Sequence, residues 1–362
     1  MRRFTITTIV GARPQFVKAA AMSRALAQDH QFAERLIHTG QHYDFSMSES
    51  FFRQLGLPAP AANLGISGLS HGAMTGRMIE AIESDLIAHR PDAVLIYGDT
   101  NSTLSGAIAA AKMNIPLIHL EAGMRSGRKD SAEEINRILA DHASALLLCA
   151  SRAAFLNLDR EGLSSRAQIV GDVMYDVALF TKAQIDAEKS ARRVGLEPGQ
   201  YLLLTLHRAE NTGDAGRLRE LLEFSRRHAA GRTVVFPIHP RTESAARELG
   251  LDLSGFTLLP PAGYFEFQSL ISTAAEVMTD SGGVQKEAYF HRVPCITLRD
   301  ETEWEETIAS GWNRLWTSAT YNLPRRDIPD YGVGNAANKS VLAIHELLTG
   351  ASASGDQLTR QR

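Results

Sequence analysis

Short apolar runs alternate with amphipathic stretches along the whole 362-residue chain, and that alternation restricts the fold more than any other feature. It is the pattern of repeated βα units, whose strands lie parallel and are covered by helices on both faces. One series of strands is expected at 4–10, 35–38, 93–97, 117–120, 145–149 and 168–170, and a second at 201–206, 233–237, 256–259, 275–279, 294–298 and 313–316. Between them Gly171-Asp172-Val173-Met174-Tyr175-Asp176 leads into a charged helical stretch and a turn at Glu197-Pro198-Gly199. At roughly 150 residues per domain, a chain of this length suggests two cores. The expected fold class is therefore α/β, with two doubly wound, Rossmann-like domains at 1–172 and 173–334. The last helix, within 335–362, should pack back on the first domain. Ligands of such sheets bind beyond the carboxyl ends of the strands, so two sheets facing each other would place a site in the cleft between them.

Composition narrows the partners. Lys plus Arg at 38 against Asp plus Glu at 41 gives a formal charge of −3, with no basic block to follow a phosphate backbone or an anionic bilayer. Nucleic acid and membrane are therefore not expected partners. The opening Met1-Arg2-Arg3 runs into Phe4-Thr5-Ile6-Thr7-Thr8-Ile9-Val10, too short and too β-branched for a secretory signal. No apolar run approaches the roughly 20 residues of a membrane span. Cys149 and Cys295 fall at strand-like apolar positions far apart in sequence, as small core residues do, and a reducing cytoplasmic location is expected. No spacing resembles a zinc or calcium site, and neither a Gly-x-Ser-x-Gly elbow nor a Gly-x-Gly-x-x-Gly first turn is present. No metal and no cofactor is expected.

The chemistry-bearing residues gather at strand ends. The run 275–279 leads into Asp280-Ser281-Gly282-Gly283-Val284-Gln285-Lys286-Glu287, a strand, a glycine turn and a helix start. Ser281 is placed to cap that helix, the glycines let backbone N–H groups approach an anion, and the helix dipole favours negative charge there. Glu287, a turn on, is placed to accept from sugar hydroxyls, which favours a nucleotide ligand. At the first strand end stands Gly11-Ala12-Arg13-Pro14, with Lys18 a turn further; Pro14 suits a first helical turn. Asp99, Glu121 and Glu133 follow two strands and open a helix, and together they could supply an acid and a base through mutual repulsion and burial. His207 and His239 end two strands of the second series, and Phe267 offers a ring for a base to stack on. Each of these taken singly has an ordinary reading as a cap, a solvated charge or a core side chain.

Taken together, Gly11-Ala12-Arg13-Pro14, Thr39-Gly40-Gln41-His42, Gly98-Asp99-Thr100, Glu121-Ala122-Gly123, Glu133-Glu134-Ile135-Asn136-Arg137, His207-Arg208-x-Glu210-Asn211 and Asp280-Ser281-Gly282-Gly283-Val284-Gln285 resemble the non-hydrolysing UDP-N-acetylglucosamine 2-epimerases in order and spacing along nearly the whole chain. The resemblance implies the two-domain glycosyltransferase-B fold, a UDP-sugar substrate and a homodimer. It implies diphosphate contacts from Arg13, His207, Ser281, Gly282 and Gly283, ribose binding by Glu287, and Phe267 near uracil. Lys18, Asp99, Glu121, Glu133 and His207 match residues implicated in the family's catalysis, and the strand-end His239 is expected as a further substrate contact.

Two departures are informative. Gln41-His42-Tyr43-Asp44 stands where many members activated by their own substrate resemble Gln-His-Arg-Gln. The loop between Glu121 and Glu133 is shorter than in the plain enzymes, with Ala132 in place of a common proline. With Gly171-Asp172-Val173-Met174-Tyr175-Asp176 and Ser70-His71-Gly72, this looks like the branch acting on UDP-2,3-diacetamido-2,3-dideoxyglucuronate for surface polysaccharide. A sugar carboxylate would call for a cation, and Arg125, Arg128 or Lys129 could supply it. UDP-N-acetylglucosamine itself stays open as substrate. A glycosyltransferase of the same fold, a UDP-sugar-binding regulator without turnover, and a hydrolysing epimerase also stay open.

Overall fold

The structure, a computed structural model, describes residues 3–41, 52, 54–127, 130–321 and 323–350. The chain divides into two compact units, Met1–Val177 with Asp330–Arg362, and Ala178–Pro329.

Among its described residues unit 1 holds seven strands: β1 (Phe4–Val10), β2 (Phe32–His38), β3 (Ala62–Asn63), β4 (Ala93–Tyr97), β5 (Leu117–Leu120), β6 (Leu146–Cys149) and β7 (Ala167–Ile169). All pair in parallel in the order β3-β2-β1-β4-β5-β6-β7. Its helices include α1 (Arg13–Gln28), α2 (His71–His89), α3 (Asn101–Lys112), α4 (Ala132–Ala143) and α5 (Arg152–Arg160), and the chain leaves the unit inside α6 (Val173–Gln184). Helix α3 lies close on the sheet because Gly106 faces it: a Cβ there would stand 2.9 Å from Ile9 Cδ1 and 3.0 Å from Ile96 Cγ2.

Unit 2 continues with α7 (Ala187–Arg193), β8 (Tyr201–Thr205), α8 (Ala209–Thr212), α9 (Ala215–Ala229), β9 (Thr233–Pro237), α10 (Pro240–Glu248), β10 (Phe256–Leu259), α11 (Tyr264–Thr273), β11 (Glu276–Thr279), α12 (Gly282–Phe290), β12 (Cys295–Thr297), α13 (Glu305–Ala309) and β13 (Asn313–Leu315). Its sheet is parallel in the order β10-β9-β8-β11-β12-β13. Alternate residues feed the two faces: Leu202, Leu204, Val234 and Phe236 enter one core, and Tyr201, Leu203, Val235 and Val277 the other. Burial on both faces is why these strands read as unbroken apolar runs.

The last helix, α14 (Ala336–Thr349), belongs to unit 1. Asp176 accepts from the N–H groups of Ala336 and Ala337 at its start, and His345 packs edge-on against Phe4 and Phe32. The units divide after Val177 and after Pro329 rather than after 172 and 334, several strand ends shift by a residue, and two further details differ from the sequence reading. β2 begins at Phe32, three residues earlier than expected, and β3, two residues long, carries too little pattern to be seen in sequence.

Candidate active site

In each sheet the strand order reverses once, between β1 and β4 in unit 1 and between β8 and β11 in unit 2. Crevices form at such switch points, at the carboxyl ends of the strands.

In unit 1 the crevice is tied shut at its base by Gln15. Its Oε1 accepts from the N–H groups of Gly11 (2.8 Å) and Ala12 (3.0 Å), while its Nε2 donates to the Tyr97 carbonyl (2.8 Å) and Thr103 Oγ1 (3.0 Å). One buried amide thus joins the ends of β1 and β4 to the first turn of α3, whose cap is Thr100. Gly11 admits no side chain, since a Cβ would lie 2.1 Å from both Ser102 Oγ and Thr39 Oγ1.

Onto this base come the charged groups. Lys18 reaches from α1 to an ion pair with Glu121 Oε2, and the two side chains are only 10% and 12% exposed. Glu121 has φ +68°, a left-handed conformation that costs a residue with a side chain about 1–2 kcal/mol. Its N–H and that of Ala122 both donate to the Leu148 carbonyl. Strain of this kind persists only where the surroundings enforce it, and functional turns are where it collects.

Asp99 pairs with Arg137 from α4, and Asn136 donates to the Asp99 carbonyl at 2.9 Å. The all-acid cluster expected from the sequence is therefore corrected: Asp99 and Glu121 each face a cation, so mutual repulsion is not what governs them. Glu133 is exposed and accepts from Ser131 Oγ, whereas its neighbour Glu134 is turned inward. Glu134 accepts from Ser126 N–H and Oγ, Gly127 N–H and Arg137. Burial works to raise its pKa, but these donors and the Arg137 charge hold it below the usual carboxylate value.

Arg125 is also corrected. Its Nε and Nη2 each donate to Glu161 at 2.7 Å, and its Nη1 donates to Asp141 Oδ2 and the Met124 carbonyl. With its nitrogens spent on two carboxylates, it is a fastener of the loop rather than a cation held out for a substrate. Arg128, Lys129 and the His42-Tyr43-Asp44 segment lie outside the described residues. Arg13 opens α1, half-buried.

In unit 2, Asp280 follows β11 and is fully buried. It accepts from the backbone N–H of His207 (3.0 Å) and of Arg208 (2.9 Å) and from Asn211 Nδ2 (3.1 Å), and His207 Nδ1 lies 3.2 Å away. Burial opposes its ionisation, yet His207 and the other donors hold its carboxyl below the usual range. Asp280 thus fixes the turn after β8 against the turn after β11 and leaves the His207 ring nearly half exposed, 6.5 Å from that of His239.

The glycine turn opens α12 with Ser281 at the N-cap position. The expected side-chain cap is absent; the Ser281 N–H instead donates to Thr279 Oγ1 at 3.0 Å. A Cβ on Gly282 would stand 3.2 Å from Trp304 Nε1, and on Gly283 it would meet only Ser281 Oγ at 4.0 Å. Lys286 Nζ sits over the Trp304 ring, 3.8 Å from its centre. Glu287 is buried on the same helix, and Phe267, half-buried on α11, packs on the adjoining core.

Sequence reasoning passed over Gln15, His119, Glu134, Arg137 and Asp141. The signal for His119 was a histidine inside the apolar strand Leu117–Leu120, and for Arg137 its i,i+3 spacing from Glu134.

Two doubly wound units, each carrying ionised groups at its switch point, are the make-up of enzymes of the glycosyltransferase-B fold class. The pattern of the UDP-N-acetylglucosamine 2-epimerase family matches residues 24–341, and the chain belongs to that family of isomerases. It is 47% identical over 315 residues to the UDP-2,3-diacetamido-2,3-dideoxy-D-glucuronate 2-epimerase of Pseudomonas aeruginosa, covering 86% of this chain and 87% of that one. To a UDP-N-acetylglucosamine 2-epimerase homolog of Methanococcus maripaludis it is 45% identical over 359 residues, 94% and 99% of the two chains. The crystal structure of Methanocaldococcus jannaschii UDP-GlcNAc 2-epimerase in complex with UDP-GlcNAc and UDP superposes with a TM-score of 0.84 at 35% identity, covering 95% of this chain and 99% of that one. Among the described residues no helix is long and apolar enough to cross a membrane.

Proposed function

We propose that the protein inverts C2 of a UDP-N-acetylhexosamine-type sugar, gluco to manno, without net hydrolysis, and that its substrate is UDP-2,3-diacetamido-2,3-dideoxyglucuronate used for surface polysaccharide. The observation that carries this reading is the pair of charged strand ends in unit 1, Glu121 paired with Lys18 after β5 and Asp99 paired with Arg137 after the neighbouring β4, in a chain 47% identical to the Pseudomonas enzyme.

The C2 hydrogen has no adjacent carbonyl to acidify it, so a base worth about 10²–10⁴-fold cannot carry the step alone. Departure of UDP must accompany it. The C1–O bond breaks with its electron pair leaving on UDP, a carboxylate takes the C2 proton, and the C–H pair becomes the C1=C2 bond of a 2-acetamidoglucal. A proton then adds to C2 from the opposite face while a UDP oxygen re-forms the bond to C1, restoring every atom. Asp99, Glu121 and Glu133 are the acids proposed for the two faces, with Lys18 paired to Glu121 and holding it in place. Arg13, His207, Ser281, Gly282 and Gly283 are proposed for the diphosphate, where charge develops and where stabilisation counts most. Glu287, Phe267 and His239 are proposed for the nucleoside end.

Because the Methanococcus relative aligns with 94% of the chain, UDP-N-acetylglucosamine is the second substrate reading. NMR of each UDP-sugar incubated with the protein in D₂O tests both. Deuterium at C2 together with a gluco/manno mixture identifies the reaction and the sugar, whereas free UDP accumulating without a manno product rejects non-hydrolysing epimerisation. A homodimer is the proposed assembly, supported by Ile135 and Leu139 standing 47% and 49% exposed one turn apart on α4.

A further inference from the structure

We propose that the buried His119–Asp141 pair is a positioning device for the acids of unit 1, holding the turns that carry Asp99 and Glu121 in register as an imidazolium–carboxylate pair. The inference rests on the reading of Asp99 and Glu121 as reacting acids.

His119 projects from β5 with no exposed surface. Its Nε2 lies 2.7 Å from the Gly98 carbonyl and its Nδ1 2.7 Å from Asp141 Oδ1. A carbonyl can only accept, and an ionised carboxylate can only accept, so both ring nitrogens must donate. A neutral imidazole has one N–H; the doubly protonated ring has the two that this geometry requires.

Asp141 comes from α4 and is equally buried. Burial works against its charge, but His119 and Arg125 outweigh it, and its carboxyl titrates below the usual range. Its second oxygen accepts from the Gly123 N–H at 3.1 Å and from Arg125 Nη1 at 2.8 Å. A continuous chain of bonds therefore runs from the Gly98 carbonyl through His119 and Asp141 to the Gly123 N–H. Gly98 directly precedes Asp99, and Gly123 is two residues past Glu121.

The turn carrying Glu121 needs such a tie most. Gly98 (φ +61°) and Gly123 (φ +80°) take the left-handed conformation at no steric cost, whereas Glu121, at +68°, is strained there and must be held by its surroundings. A Cβ on Gly123 would stand 2.3 Å from the Ala154 carbonyl, which shows how closely that turn is pressed on α5. The groups facing the pair balance it. Arg125 and Glu161 compensate each other, the Cys149 thiol on β6 is pushed up to about 12 by burial beside Asp141 and stays neutral, and Lys18 and Glu121 close the side toward Gly98.

The test uses the full chain and the UDP-sugar that it turns over. In ¹⁵N-resolved spectra of the wild-type protein under assay conditions, both His119 ring nitrogens should carry a proton. His119→Gln keeps a donor toward Gly98 but loses the charge, and should lower kcat about 10- to 100-fold with KM changed less than about threefold. The acidic limb of its pH profile should move to higher pH, because a cation near the carboxylates has gone. A single-proton tautomer in those spectra, or His119→Gln with wild-type kcat and pH profile, overturns the proposal. So does a loss of kcat matched by an equal loss of UDP affinity, which is what a merely structural pair would give. Should His119→Gln not fold, the wild-type spectrum decides. Asp99→Asn and Glu121→Gln run alongside: if they turn over normally, the acid reading has failed, whereas inactive acid variants with an unaffected His119→Gln refute this inference alone.

Discussion

Lys18 Nζ and Glu121 Oε2 form an ion pair beside Gly98, and each lies 3.4 Å from where a Cβ on that glycine would stand. A pair this enclosed is strongly coupled, because removing one partner leaves the other charge with little water to receive it. Lys18→Met should therefore lower stability by about 2–4 kcal/mol, tempered by the residual exposure of both groups, and Glu121→Gln by a similar amount. The double variant should recover much of the melting temperature, since neither charge is then stranded. Activity should not return with it. Turnover at least about 100-fold below wild type in both Glu121→Gln and the double variant is expected if Glu121 transfers a proton, and recovery of both properties together would show a purely structural pair.

The glycine turn offers a cleaner separation of fold from ligand. Gly282→Ala brings a methyl group to 3.2 Å from Trp304 Nε1, so that ring must give by a few tenths of an ångström, and UDP affinity should fall whichever way the melting temperature moves. Gly283→Ala meets nothing nearer than Ser281 Oγ at 4.0 Å and, inside a helix, should leave the melting temperature unchanged or slightly raised. A drop in UDP affinity of about tenfold or more in Gly283→Ala, measured by calorimetry, would then report contact with the diphosphate. Unchanged affinity would remove Gly283 from the binding site.

The sequence revealed most where one element decides the outcome by itself. A buried parallel strand is an unbroken apolar run, and a glycine pair after such a run is a turn, so β1, β4, β8, β11 and the opening of α12 were readable to within a residue. What stayed hidden depends on several elements meeting. Which acid finds a cation is decided by α1 and α4 crossing the sheet, as the pairs Lys18–Glu121 and Arg137–Asp99 show. Arg125 looked available because Asp141 and Glu161, its partners, lie 16 and 36 residues away. His119, one polar residue inside an apolar strand, was passed over; its bonds to Gly98 and Asp141 needed coordinates to appear.

Glu133 and Glu134 are adjacent in sequence and opposite in environment. Glu134 is 3% exposed and meets donors from Ser126, Gly127 and Arg137, so Glu134→Gln should cost about 1–3 kcal/mol by turning an amide N–H₂ toward groups that need an acceptor. Glu133 is exposed, and Glu133→Gln should change stability by less than about 0.5 kcal/mol. If Glu133 is one of the proton-transferring acids, that silent substitution should still lower kcat about 100-fold or more. Thermal melts and initial rates of the two variants decide which glutamate holds the loop and which acts on substrate; full activity in Glu133→Gln would strike it from the acid set.

His291 gives unit 2 a pH response of definite sign. Its Nε2 bonds Gln268 Oε1 at 2.7 Å, and burial, aided by the Lys182 charge, lowers its pKa from 6.5 to about 4. Above about pH 6.5 the ring is neutral whether the chain is folded or not, and it contributes no pH dependence. Between 6.5 and about 4 the unfolded chain binds a proton that the folded chain refuses, so stability falls as pH falls. The full effect is on the order of 3–4 kcal/mol, at about 1.4 kcal/mol per unit of pKa difference. Melting temperatures of the wild-type chain should therefore drop from pH 7 to pH 4.5, and His291→Asn should lose part of that slope while being less stable at pH 7. Equal slopes in the two proteins would mean that His291 takes up its proton in the folded state as readily as in the unfolded one.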